Sequence, residues 1–124
     1  MSFVSFVASL ALLEYLIIVL LTGRARATYN VDAPATTGHP MFERWIRVQQ
    51  NTVEQLVVFI PALFLFAEQV SNRLAGLLGL AFVVGRVIYV RSYVADPKTR
   101  GSGFIIGFTA TALLVVGALI GSIF

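Results

Sequence analysis

Four long apolar runs follow one another along the chain, separated by three polar interruptions. The first runs from about Phe3 to Thr22 and is broken only by Glu14. The second, from about Phe42 to Ala67, is divided. Its first half, "FERWIRVQQNTVEQL", holds two arginines, two glutamates, three glutamines and an asparagine, whereas its second half is apolar. The third, from about Leu74 to Val94, contains Arg86, and the fourth, from about Gly103 to Phe124, has no charge. Each is at least about 20 residues, enough to cross a hydrocarbon core of ~30 Å. Backbone groups in lipid must be satisfied within their own segment, so the runs are predicted to be helices. The pattern predicts an all-α, integral membrane four-helix bundle, with helices at about 3–22, 42–67, 74–94 and 103–124 and a single domain over 1–124.

Composition supports a membrane class. Of 124 residues, 58% are hydrophobic and 12% charged, too few charges to cover a soluble domain of this length. The net charge of +3 reads first as a topology signal, not as nucleic-acid binding. With no cysteine and a single histidine, His39, there is no disulfide, no cysteine nucleophile and no predicted metal site. The first run lacks the preceding basic residue and the short length of a signal peptide, so it reads as a retained span.

Basic residues gather in the first and third loops, at Arg24, Arg26, Arg91, Lys98 and Arg100, whereas the second loop has only Arg73. The positive-inside rule then predicts cytoplasmic first and third loops, with both termini on the opposite side. Pro34, Gly38 and Pro40 break the first loop, and Ser71 or Asn72 is positioned to cap the third helix. His39, alone in a loop, reads as a solvated surface residue. Gly103, Gly107 and Thr111, then Gly117 and Gly121, recur at four-residue spacing and predict close helix packing. Pro61 should kink the second helix.

The polar half of the second run has a direction. At roughly 100° per residue, Glu43, Arg47, Gln50 and Glu54 fall within about 60° of one another, and Arg44, Asn51 and Gln55 form a second row beside them. Trp45, Ile46, Val48, Thr52, Val53 and Leu56 occupy the remaining surface, and Gln49 points elsewhere. Arg47 lies roughly 8 Å, and Glu54 roughly 18 Å, inside the helix start. Charges at that depth are costly unless paired or wet, so the wedge must face other helices or a water-filled cavity.

The third helix offers a matching face, with Arg86, Tyr89 and Tyr93 at i, i+3 and i+7. A pocket between the two helices would carry Arg47 and Arg86, with Glu54 at its floor, phenols on its wall and Arg26 and Arg100 near its mouth. A purely structural network, with Glu43–Arg47 and Gln50–Glu54 as i, i+4 pairs, is the plainer reading of the same residues. As a binding site, the arginines suit carboxylates or phosphates and the deep glutamate suits an ammonium. The ligand would be a small zwitterion with excess negative charge, and an apolar co-substrate would enter from lipid.

These residues carry a resemblance. "FERWIRVQQNTVEQ" resembles the second-helix motif of the membrane-associated proteins in eicosanoid and glutathione metabolism (MAPEG), through Glu43, Arg44, Arg47, Asn51 and Glu54. "PATTGHP" is similar to the preceding loop of that family, and "VGRVIYVRSYV" resembles its third helix, with Arg86, Tyr89 and Tyr93. The resemblance implies a homotrimer with glutathione as co-substrate in a cationic pocket between subunits. It implies glutathione contacts from Arg26, Arg47, Gln49, Asn51, Glu54, Arg86, Tyr89 and Tyr93. Arg100, helped by Tyr93, would stabilise the thiolate as the catalytic pair. Two departures stand out: Gln55 and Val57 occupy positions where several members have an aromatic residue and a proline. Ala27 also stands where some synthases have a second arginine, which bears on lipid-substrate chemistry.

The expected activity is that of a glutathione transferase or peroxidase in detoxification. Its partners would be membrane lipids and a hydrophobic electrophile or lipid hydroperoxide. Two alternatives are a non-catalytic lipid-binding protein and a small proton-coupled exporter using Glu14. For Glu14 itself, an ion pair with Arg86 at similar depth is the plainer role.

Overall fold

The computed structural model describes residues 2–124 as four long α-helices joined by short connections. Helix α1 is Phe3–Thr28, α2 is Pro40–Gln69, α3 is Asn72–Ala95 and α4 is Gly101–Ile123, with a 3₁₀ turn at Pro97–Thr99. All four are long and apolar enough to cross a membrane. Large apolar side chains on their outer faces, such as Leu20, Val57, Ile105 and Leu119, are exposed, as lipid-facing residues should be.

α1 extends six residues past its predicted end at Thr22. "GRARAT" does not stop it, because arginine and alanine are strong helix formers and Gly23 alone costs only about 1 kcal/mol. The helix stops at Asn30, whose φ of 56° is left-handed. Val31 N–H donates to the Arg26 carbonyl at 3.0 Å, and Asn30 N–H to that of Ala27 at 3.4 Å, a Schellman termination with asparagine in glycine's usual place. The buried Val31 side chain then packs with Ala25 and Phe42. Arg24 and Arg26 therefore stand on the last turns of α1, not in the loop where the sequence placed them.

The other ends are marked by residues the sequence displays. Pro40 opens α2 at its first position, where its missing N–H costs nothing. His39 is not a solvated loop residue: its Nδ1 accepts from Met41 N–H at 3.1 Å, and its ring stacks on Tyr29 with centroids 4.1 Å apart. Of the two candidate caps of α3, Ser71 serves, accepting from Leu74 N–H at 3.1 Å. Asp96 caps the 3₁₀ turn through Lys98 N–H.

The main core lies among all four helices, with Phe59 and Phe82 stacked at 3.9 Å. A smaller cluster of Ile18, Val48 and Tyr89 lies nearer the loops that join α1 to α2 and α3 to α4. α3 and α4 approach most closely at their glycines. A Cβ added to Gly103 would stand 2.7 Å from Tyr89 Cα and 2.9 Å from the Gly85 carbonyl oxygen, and one on Gly85 would stand 2.9 Å from the Gly107 nitrogen. The small-residue spacing of α4 thus does what it predicted, and at Gly103 it seats the start of α4 against the backbone of Tyr89.

Candidate functional site

The polar half of α2 faces α3 and the beginning of α4. Arg47, Gln50, Asn51 and Glu54 from α2, Tyr89 and Tyr93 from α3, and Arg100 just before α4 line one recess of about 420 Å³. Each reaches it for a local reason. The α2 residues share a face through their i, i+3, i+4 and i+7 spacing. Tyr89 and Tyr93 are one turn apart, with ring centroids 5.6 Å apart. Arg100 is delivered by the 3₁₀ turn, where Thr99 Oγ1 donates to the Ser92 carbonyl at 3.0 Å and Arg100 Nη1 to that of Pro97 at 2.9 Å.

Chemically, the recess combines two guanidinium groups, one carboxylate, two carboxamides and two phenols. Two forked cations around a single anion suit a small ligand with more than one carboxylate, and Glu54 is placed to take an ammonium. Glu54, Arg47 and Arg100 are exposed at its rim, whereas Tyr89 is only 4% exposed and forms its inner wall.

Three of the predicted site residues lie elsewhere. Arg86 does not line the recess but sits behind it, 1% exposed. Its Nη1 donates to Asn51 Oδ1 at 2.7 Å and to Thr52 Oγ1 at 3.2 Å, and its guanidinium lies 4.2 Å from the Tyr89 ring centroid. It therefore braces two of the lining residues. Arg26 folds onto its own loop, donating to the carbonyls of Val31 at 3.3 Å and Ala35 at 2.9 Å, with its guanidinium 4.6 Å above the Phe42 ring. Gln49 is half-buried on another face of α2, away from the recess.

Two supporting residues escaped the sequence. Arg44 Nη1 donates to the Val94 and Ala95 carbonyls at 2.8 and 3.0 Å, tying the start of α2 to the end of α3 and satisfying carbonyls that a helix C-terminus leaves open. Its place in the wedge marked it as polar without saying what it would meet. Thr52, counted with the apolar side, accepts from Arg86 while donating to Val48 O at 2.7 Å. Glu43 accepts from Gly38 N–H at 3.2 Å, so it serves the preceding loop. Glu14 makes no hydrogen bond to Arg86, and neither of its carboxylate oxygens has a hydrogen-bond partner among the described residues. The direct Glu14–Arg86 pair expected from their depths is thus not formed, because Arg86 Nη1 is drawn to α2.

A four-helix arrangement with a cation-rich recess inside one end of the bundle defines a class of small membrane proteins, and the sequence comparisons specify it. Residues 4–120 match the MAPEG family, and the chain belongs to that family. It is 45% identical over 114 residues to an uncharacterized protein of Synechocystis sp., covering 92% of this chain and 83% of that one. Human microsomal glutathione S-transferase 2 is 41% identical over 101 residues, 81% of this chain and 69% of the relative. Leukotriene C4 synthase of Rattus norvegicus is 32% identical over 97 residues, 78% and 65% of the two chains.

Proposed function

We propose that this protein is a membrane glutathione transferase that binds glutathione in the α2–α3–α4 recess and joins its sulfur to hydrophobic electrophiles. One observation carries the reading: Arg47, Asn51, Glu54, Tyr89, Tyr93 and Arg100 converge on a single recess. Glutathione has two carboxylates, one ammonium and one thiol, which suits the cations and the lone carboxylate there. Relatives named as glutathione S-transferase and leukotriene C4 synthase add to it.

In this reading Arg47 and Asn51 hold a carboxylate end, and Glu54 takes the γ-glutamyl ammonium. Arg100, with Tyr93, faces the sulfur and favours its thiolate form. The thiol proton leaves to water at the open rim. The thiolate then attacks an electrophilic carbon, the new S–C bond forming as the leaving group departs with its electron pair. Positioning and charge stabilisation supply the acceleration. In the peroxidase variant the thiolate attacks the O–O bond of a lipid hydroperoxide, the lipid leaves as its alcohol, and a second glutathione converts the resulting sulfenic acid to the disulfide with release of water.

The electrophile has a nearby route. On the same α2–α4 seam, Val57, Val58, Pro61, Leu65, Val115 and Leu119 line an apolar groove of about 450 Å³. Val57 and Val58 follow Glu54 at i+3 and i+4, so the groove begins next to the polar recess. The recess opens at the end holding the first and third loops, which the charge bias assigns to the cytoplasm. A homotrimer fits the positions of Arg26 and Gln49, which do not reach the recess of their own chain and would complete a neighbour's. The exporter reading is disfavoured, since both Glu14 carboxylate oxygens are sealed from solvent.

The test is conjugation of glutathione to a chlorinated aromatic acceptor by the purified protein. The proposal expects turnover that Arg100→Ala reduces at least tenfold. Absence of both turnover and glutathione binding would overturn it.

A further inference from the structure

Arg86 cannot accept a hydrogen bond, because a guanidinium carries donors alone. That fixes the polarity of the groups it meets. Its Nη1 donates to Asn51 Oδ1 at 2.7 Å and to Thr52 Oγ1 at 3.2 Å. Thr52 is fully buried, and its own hydroxyl proton goes to the Val48 carbonyl at 2.7 Å. Its oxygen therefore faces Arg86 as an acceptor only. Asn51 has a choice that Thr52 lacks. A carboxamide can present either its oxygen or its NH2 group to a neighbour, and only the oxygen can meet Arg86.

The choice matters because Arg86 sits behind the recess, whereas Asn51 lines it. With Oδ1 turned back to the guanidinium, the other branch of the amide, Nδ2, is turned toward the recess. Two N–H donors then face the ligand beside Arg47, another lining residue. With the amide reversed, an oxygen would face the ligand and repel a carboxylate. Thr52 helps to hold the guanidinium where this selection is made. It is the next residue on α2 after Asn51, and the two side chains hold the same Arg86 nitrogen.

We propose that Thr52 and Arg86 are positioning residues that hold Asn51 as a donor to a ligand carboxylate. Val48, Thr52, Arg86 and Asn51 form one chain of hydrogen bonds in which every donor and acceptor role is forced. Neither Thr52 nor Arg86 touches the ligand. The inference rests on the glutathione reading above. It makes the Asn51 amide an anion-binding group, not an acceptor for the ligand's ammonium or amide N–H groups.

The test is calorimetric titration of the purified, detergent-solubilised protein with glutathione, with each melting temperature measured alongside. Asn51→Asp keeps nearly the same shape and still accepts from Arg86, yet as a carboxylate it offers the ligand only oxygen. It should raise the Kd by at least about tenfold without lowering the melting temperature. Thr52→Val removes the hydroxyl and should raise the Kd by about threefold to tenfold, whereas Thr52→Ser keeps the hydroxyl and should stay within about twofold. In an Asn51→Ala background, Thr52→Val should change the Kd no further, since no amide is left to orient. Wild-type affinity in Asn51→Asp overturns the proposal, whatever Thr52→Val does to folding. So does a Thr52→Val effect of equal size with and without the Asn51 amide, the outcome of a role confined to packing. A wild-type protein that binds no glutathione refutes the glutathione reading and this inference together, whereas wild-type binding with an unaltered Asn51→Asp refutes this one alone.

Discussion

Gly103→Ala is a small change with a calculable consequence. The added Cβ would stand 2.7 Å from Tyr89 Cα and 2.9 Å from the Gly85 carbonyl oxygen. Carbon atoms prefer about 3.5–4.0 Å, so α4 must withdraw from α3 by roughly 1 Å. Both obstacles are backbone, and no rotamer change relieves them. Overpacking of this kind costs about 1–3 kcal/mol, and the better helix propensity of alanine returns up to about 1 kcal/mol. With the full offset, the net is a loss of up to about 2 kcal/mol. Arg100 is three residues upstream, so the withdrawal also moves it away from Tyr89 and Tyr93. A displacement near 1 Å can cost as much as ~10²-fold in rate, and at least a tenfold fall in conjugation is expected.

The same substitution elsewhere on α4 supplies the controls. At Gly117 an added Cβ would run into the Phe66 ring, far along the helix from the recess. Gly117→Ala should therefore lower the melting temperature while the folded protein keeps its turnover. At Gly101 nothing lies within 4 Å, and Gly101→Ala should be neutral or stabilising by a few tenths of a kcal/mol. Melting in detergent and conjugation kinetics on all three variants decide the matter. Full activity in Gly103→Ala, or an equal loss of activity in Gly117→Ala, would refute the idea that the glycine contact seats the catalytic end of α4.

Other predictions address single supports. Arg44→Ala removes two hydrogen bonds from a cation to the α3 terminus and should destabilise by about 1–3 kcal/mol, read as a lower melting temperature. Arg86→Met removes the buried donor to Asn51 and Thr52 and should destabilise by about 1–3 kcal/mol, read as a lower melting temperature. Arg100→Ala should lower kcat while the glutathione Kd stays within about twofold, because Arg100 is assigned to the sulfur and not to a carboxylate.

Much of the bundle was legible because lipid imposes a simple rule on each span. The helices at 42–67 and 74–94 lie inside α2 and α3, each of which runs one or two residues further at either end, and that at 103–124 matches α4, which starts two residues earlier and stops one residue sooner. The end of α1 was missed because the apolar run stops at Thr22 while helix propensity continues through Arg24, Ala25 and Arg26. Asn30 was the available stop signal. The recess was readable from the faces of α2 and α3, since periodicity alone aligns Arg47, Asn51 and Glu54, and Tyr89 with Tyr93. Periodicity does not tell a lining residue from one behind the wall. Arg86 shares a face with Tyr89, yet the short side chains of Asn51 and Thr52 let it lie behind the wall as their donor. Nor could spacing reveal that Arg44 reaches the Val94 and Ala95 carbonyls, a contact between residues about 50 apart in sequence.

Glutathione-dependent thermal stabilisation tests the central claim most directly. The measurement compares the melting temperature of purified wild-type protein, with and without glutathione, against that of Arg47→Ala combined with Glu54→Gln. Both side chains are exposed at the rim, so the unliganded variant should melt close to wild type. A ligand at one hundred times its Kd stabilises the folded state by about 2.7 kcal/mol. Wild type should therefore gain several degrees, and the variant little. No shift in wild type at saturating glutathione, or an equal shift in the variant, would contradict the assignment of this recess to glutathione.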